Sequence, residues 1–388
     1  MTTKRIGILT GGGDVPGLNA VVKSAVGRLV EGGCEVVGIR RGWAGLLHWS
    51  RETGADNSEW VRALDKVATR ALDREGGTFL HTSRTNPALL SAERVPERLR
   101  ALGRASDAAG RFDFTDEVVA NVAALGLDAL IAIGGDGTLS FARRLHQEGI
   151  AVVGVPKTMD NDVPGTDYCL GFSTAVTRAV ALVNSLRTVA GSHERILVVE
   201  VFGRRSGEPC WMAAHLAGAD RAVVAEVPFD AAAVARLAAA DRRANPSRYA
   251  VVLISEGARP EGGEAFTRGR VDPAGNPRLG GVGQFLAREI ERLERLRTLD
   301  QSLAYLLRAG LPDAFDLLVA KSFGQLAAEL VLAGEAGKLA AVRGGRYAAV
   351  DLDRVGEPRK GLDVERFYDR AEYRPRIQHP IGLPVFLH

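Results

Sequence analysis

Two carboxylates stand two residues apart in Val155-Pro156-Lys157-Thr158-Met159-Asp160-Asn161-Asp162, which runs on to Gly165-Thr166-Asp167. At a strand end such a pair can divide the labour. One member accepts a proton from a hydroxyl while the other organises a metal ion or its water. Lys157 adds positive charge where phosphoryl oxygens would gather. A solvated acidic loop is a poor account of this block, because Pro, Lys, Thr and two Asp fall together. A second block, Ile133-Gly134-Gly135-Asp136-Gly137-Thr138, sets one acid among backbone donors straight after an apolar run. An aspartate there can hold Mg²⁺ against a phosphate. The third block is Leu9-Thr10-Gly11-Gly12-Gly13-Asp14 followed by Val15-Pro16-Gly17-Leu18-Asn19-Ala20. Its strand–glycine–helix layout lets backbone N–H groups and a helix N-terminus attract an anion. Alone, this third block fits a ligand-free tight turn equally well.

These blocks need elements that hold them together. Short β-branched runs alternate with amphipathic stretches, the pattern of parallel sheets with crossover helices. Strands are expected at 5–10, 35–39, 129–133, 151–155, 195–201, 222–225 and 249–255. Several end in glycine-rich or acidic turns, and in open α/β sheets ligands bind beyond the carboxyl ends of strands. The charged stretch 93–110 reads as a surface helix and loop, and 261–277, rich in Gly, Pro and Arg, as a long loop. Residues 283–296 read as an amphipathic helix.

A chain of 388 residues suits two domains. The formal charge, 50 − 47 = +3, gives no ground for a nucleic-acid or membrane partner. Cys34, Cys169 and Cys210 lie far apart without CxxC pairing, which argues against a disulfide framework or a zinc site. The run Ile6-Gly7-Ile8-Leu9 is too short for a signal sequence or a membrane span, so the cytoplasm is the expected compartment.

Taken in order, the three blocks resemble the phosphofructokinase family. Further matches are Gly76-Gly77-Thr78-Phe79-Leu80, Gly171-Phe172, Val199-Glu200-Val201-Phe202-Gly203-Arg204, Ser255-Glu256-Gly257-Ala258 and Gly280-Gly281-Val282-Gly283. The resemblance runs from residue 4 to about 345, and Lys157 is similar to the mixed-substrate branch of ATP and pyrophosphate users. It implies an α/β fold of two doubly wound, Rossmann-like domains with the active site in the cleft between them. The donor domain would comprise 1–171 plus about 309–350, and the sugar-phosphate domain 172–308 plus about 351–388. NAD kinases and lipid kinases share only the Gly-Gly-Asp-Gly-Thr turn, which leaves 155–162 and the Arg195 region unexplained. A non-catalytic, sugar-phosphate-binding subunit would be expected to lack Asp136 or Asp160, and both are present.

The resemblance also implies roles. Gly12 would line the donor phosphates with Arg84 as a clamp. Asp136 would bind Mg²⁺, and Gly135, Gly137 and Thr138 would complete the donor site. Thr158, Asp160 and Asp162 would face fructose 6-phosphate, with Asp160 the general base at its 1-hydroxyl. Phe202, Gly203 and Arg204 would border the sugar and the transferred phosphate, and Glu256 would bind sugar hydroxyls. Arg195 and Arg297 would reach the 6-phosphate of a neighbouring subunit's substrate, with Tyr305 and Arg308 completing that pocket in a homodimer or homotetramer. Arg84, Arg195 and Arg204 also have a plain reading as surface arginines, since Arg is abundant in this chain.

The chain departs from the family pattern in places. Phe202 replaces a usual Met, Leu303-Ala304-Tyr305-Leu306-Leu307-Arg308-Ala309-Gly310 departs from L-G-[YH]-x-Q-R-G-G, and the usual arginine falls on Leu299, leaving Arg297 nearest. These departures keep sedoheptulose 7-phosphate open as an acceptor. Donor choice turns on Gly137, which leaves room for the α-phosphate of ATP, whereas pyrophosphate users usually carry Asp there. Lys157 is typical of pyrophosphate users but serves either donor, so ATP is the expected one. Effector-regulated relatives carry two basic residues one helical turn apart, here Lys23 and Gly27, so nucleotide-effector control is expected to be weak.

Overall fold

A computed structural model describes residues 3–271, 277–378 and 380–381. The chain forms two compact units, each assembled from three segments. The first comprises Met1–Thr158, Val163–Thr166 and Gly310–Pro358; the second comprises Met159–Asp162, Asp167–Ala309 and the chain from Arg359 on.

The first unit is built on a seven-stranded sheet. Edge to edge its strands are Arg346–Asp351, Lys338–Arg343, Val152–Pro156, Ala129–Gly134, Arg5–Thr10, Glu35–Ile39 and Val61–Leu64. The inner five run parallel and only the two edge strands are antiparallel. Ile6, Ile8, Leu9, Leu130, Ile131 and Ile133 are fully buried, each such side chain contributing about 1.5–3 kcal/mol. Register then fixes the chemistry. Thr10 lies opposite Ile133, and Gly134 opposite Pro156, so the three blocks leave the sheet from adjacent strand ends. Helix Leu18–Glu31 lies against helix Ala314–Ala333. There a side chain at Gly324 would sit 2.4 Å from the Val21 carbonyl oxygen.

The second unit holds a four-stranded, wholly parallel sheet in the order Thr298–Ser302, Ile196–Val201, Ala250–Ser255, Arg221–Val223. Helix Val282–Glu294 covers most of the expected 283–296. The stretch 93–110, in the first unit, holds a one-turn helix, Glu97–Arg100, among turns. The expected loop 261–277 needs correction. It contains the strand Thr267–Val271, paired antiparallel with Pro277–Leu279, while 272–276 lie outside the described residues. These strands are short and rich in arginine, with a glycine in the first and a proline in the second, so they leave no alternating apolar signal in the sequence.

Residues 359–378 strap across the second unit. Leu362 N donates to Glu226 Oε1 at 2.9 Å, Trp211 Nε1 to the Phe367 carbonyl at 2.5 Å, and Ala222 N to the Tyr373 carbonyl at 2.8 Å. No described helix is long and apolar enough to cross a membrane.

Candidate active site

At the strand ends of the first unit the glycine loops are held by mutual contacts. Gly11 N donates to the Ile133 carbonyl at 2.9 Å and Lys157 N to the Gly134 carbonyl at 3.0 Å. Gly12 has φ 84°, which favours glycine. Its N–H donates to the Ser83 carbonyl at 2.8 Å and its carbonyl accepts from Thr82 Oγ1 at 2.7 Å. That pairing carries Arg84 beside the loop. Thr138, itself buried, fills the space beside Gly11 and Gly134, where any Cβ would collide with it. Trp43 Nε1 donates to the Thr138 carbonyl at 3.1 Å.

Asp136 is half-buried and opens helix Asp136–Gln147, with Gly135 as its cap. Lys157 is only 3% exposed, and its ammonium bonds the Gly13 carbonyl from below the loop. Gly137 differs from its neighbours: it is exposed, and a Cβ added there meets nothing within 4 Å. Its backbone therefore does not require glycine, and the empty space is what the residue provides. Thr158 closes this segment of the first unit.

Two residues on, in the second unit, the acidic turn begins. Asn161 sits between the two acids with φ 54° and is fully buried. Its Nδ2 donates to the Asp167 carbonyl at 3.2 Å and to both carboxylate oxygens of Glu208 at 3.3 Å, while its Oδ1 accepts from Cys169 N at 2.7 Å. Asparagine tolerates the left-handed conformation, and hydrogen bonds to three residues lock it. Burial first, then the Asp162 charge, push the Asp160 carboxyl up to about 7, against the pull of Arg204 and Arg308. Arg204 N approaches Asp160 Oδ2 at 3.4 Å.

Glu256, at the end of strand Ala250–Ser255, is pushed up to about 8 by burial and by Asp160, again opposed by Arg204 and Arg308. The Arg308 guanidinium lies 4.8 Å over the Phe202 ring and 5.4 Å from that of Tyr305, contacts that contribute about 0.5–2 kcal/mol each. The uncommon phenylalanine therefore has a mate in Arg308. Gly203 links Phe202 to Arg204 with φ 132°.

The second unit thus gathers Asp160, Asp162, Phe202, Gly203, Arg204, Glu256, Tyr305 and Arg308. Arg195 and Arg297 lie elsewhere in it, lining an open cavity of about 540 Å³ with Glu291, Arg295 and Thr298. They precede strands Ile196–Val201 and Thr298–Ser302, whereas Phe202 and Tyr305 follow them. Six strand residues span about 20 Å, so Arg195 stands at the far end of the sheet from Phe202.

Sequence reasoning missed several supporting residues. Glu200 is buried and accepts from Gly281 N at 2.8 Å, Gly283 N at 3.0 Å and Ser302 Oγ at 3.1 Å, seating the start of helix Val282–Glu294. Glu208 and Trp43 were equally silent. A buried glutamate inside an apolar strand run, as at Glu200, is the one signal that pointed to such a role.

A divalent cation can be tested against these residues. Among those described, no three metal-binding side chains cluster. Asp136 nevertheless fits Mg²⁺, which commonly takes one or two carboxylates and completes its shell with substrate phosphates and water.

Comparison with known proteins gives a consistent picture. The phosphofructokinase family model matches residues 5–331. The pyrophosphate–fructose 6-phosphate 1-phosphotransferase of Amycolatopsis methanolica is 40% identical, over 95% of this chain and 98% of that protein. The ATP-dependent 6-phosphofructokinase 3 of Streptomyces coelicolor is also 40% identical, over 94% and 98%. Among solved structures, Pichia pastoris phosphofructokinase in the T-state aligns with TM-score 0.73 and 25% identity, covering 92% of this chain and 36% of that one. The chain thus spans just over a third of the yeast protein.

Proposed function

The chain belongs to the phosphofructokinase family, and on that footing we propose that it transfers a phosphoryl group from ATP to the 1-hydroxyl of fructose 6-phosphate. The observation that carries this reading is the Asp160 carboxyl, held near 7 by burial and Asp162. A base is most effective when its pKa lies near the working pH. Asp160 takes the proton of the attacking hydroxyl, and Asp162 keeps it poised by charge. Arg204 and Arg308 draw the transferred and resident phosphates by charge-assisted hydrogen bonds. Glu256, protonated at neutral pH, donates to a sugar hydroxyl.

On the donor side Gly12 lines the phosphates and the turn Gly135–Asp136–Gly137, at the start of helix Asp136–Gln147, offers main-chain N–H groups to them, with Arg84 as clamp. Asp136 is the carboxylate that would hold Mg²⁺, whose charge offsets that of the donor phosphates. Empty space at Gly137 supports ATP over pyrophosphate. Lys157, the residue that favours pyrophosphate, braces the Gly13 carbonyl here, which weakens it as a donor selector.

The far-end position of Arg195 and Arg297 supports a homo-oligomer in which each chain lends these arginines to a neighbour's sugar phosphate. Three buried cysteines, far apart in sequence, fit a reducing, cytoplasmic setting. A coupled assay should show turnover of fructose 6-phosphate with ATP well above that with pyrophosphate. Faster turnover with pyrophosphate reverses the donor assignment, and preference for sedoheptulose 7-phosphate reverses the acceptor.

A further inference from the structure

The acidic turn rests on a buried acidic side chain. Glu208 is 1% exposed, opens helix Glu208–Ala217, and holds Asn161 through both carboxylate oxygens. A buried carboxylate facing neutral amide donors is costly unless a cation compensates it. The cation whose surroundings fit is Lys360, on the strap. Burial lowers its pKa, and Cys169, Glu208, Asp167 and Asp162 oppose that shift. Its main-chain N–H reaches the Asp162 carbonyl at 3.3 Å. Two residues on, Leu362 N shares Glu226 Oε1 with Gly207 N, at 2.9 and 2.7 Å. The strap is therefore fastened at Asp162 and, through Glu226, immediately before Glu208.

We infer that Lys360, carried in by the C-terminal strap, is a positioning residue that sets the Asp160–Asn161–Asp162 turn. The inference rests on the reading of Asp160 as the base. It acts by neutralising Glu208 and Asp162 together, so that Asn161 keeps its grip and Asp160 keeps its aim. Loss of the ammonium leaves Glu208 and Asp162 repelling across the turn, while the donor loops, which belong to the other unit, are untouched.

The test uses the full-length enzyme. Lys360→Met should lower kcat by about 10–10²-fold, the scale for misplacing a reacting group, with the KM for the donor unchanged. Lys360→Arg should restore most of the turnover. Tyr373→Phe loses the hydroxyl that accepts from Asp230 N at 2.9 Å, so it loosens the strap far from the turn. It should lower the melting temperature and leave kcat alone. Lys360→Gln serves in place of the methionine variant if the latter does not fold. Native turnover in Lys360→Met or Lys360→Gln overturns the inference, as does an equal loss in Tyr373→Phe at matched stability. Asp160→Asn run alongside separates the two readings. If that variant stays active, the base assignment fails; if it is dead while the Lys360 variants are normal, only the Lys360 inference fails.

Discussion

Replacing Asp160 by asparagine keeps the shape of the side chain and removes the proton acceptor. With the carboxyl at about 7, the base is about one-tenth ionised one unit below that pH and about nine-tenths one unit above it. Native turnover should thus fall about tenfold per unit on the acid side. The variant should lose that limb and be slower by about 10²–10⁴-fold, with the KM for the sugar phosphate nearly unchanged. Stability should move the other way. The ordinary carboxyl value is 3.8, so between 3.8 and about 7 the folded state holds a proton that the unfolded state has lost. Stability therefore falls as pH rises through that window, and the full cost of the buried anion applies above it. A shift of about 3 units sets a ceiling of about 4 kcal/mol, reduced to about 1–2 kcal/mol by partial exposure. The variant should accordingly melt about 1–3 °C higher than the native protein above about pH 8, and by less near pH 5. Paired turnover profiles and melting curves check both halves. Near-native turnover removes Asp160 from the base role, and a melting temperature no higher at the alkaline end refutes the buried-charge reasoning.

Gly137→Asp should fold normally, since nothing lies within 4 Å of the new Cβ. A carboxylate about 4 Å from an α-phosphate costs on the order of 4 kcal/mol, roughly 10³-fold in ATP turnover, and ATP kinetics that survive the change remove Gly137 as the donor selector. Arg195→Ala should cost about 2–5 kcal/mol, seen in the KM for the sugar phosphate and hardly in that for the donor. Mixed with Asp160→Asn chains, it should regain activity in hybrid oligomers; hybrids that form yet stay inactive rule out the shared site. ADP or phosphoenolpyruvate should change activity little, because Lys23 is bound to Asp73 at 2.6 Å and to the Arg70 carbonyl at 2.7 Å. A large effector response overturns that expectation.

Much of this was legible in the sequence. Seven strands read as short β-branched runs, several of them closed by glycine or acid, because strands buried on both faces favour such residues. Strand Thr298–Ser302 was not legible. Its residues Thr-Leu-Asp-Gln-Ser line a sheet edge and bury little, so no apolar run marks it. The strap was equally silent, as its anchors pair main-chain groups and side chains more than a hundred positions apart, such as Trp211 with Phe367. At the site, the acids and glycines announced themselves by type. Asn161, Glu208 and Lys360 did not, because their task is to hold other residues, and that depends on contacts that spacing does not encode.

The pairing of helix Leu18–Glu31 with helix Ala314–Ala333 has a consequence in time. Arg28 and Glu329, joined at 2.5 Å, are 301 residues apart. At a synthesis rate of about 5–20 residues per second the first helix waits roughly 15–60 s for its mate. Through that interval the side carrying Val21 and Ala25 has left the ribosome uncovered. The four sheet strands of the second unit, within 196–302, have meanwhile been made, so the unit begun first still waits for its partner helix when the other's sheet is already synthesised. Dividing each unit among three stretches of chain thus makes newborn molecules dependent on protection of an apolar helix face until translation is well into the last third of the chain.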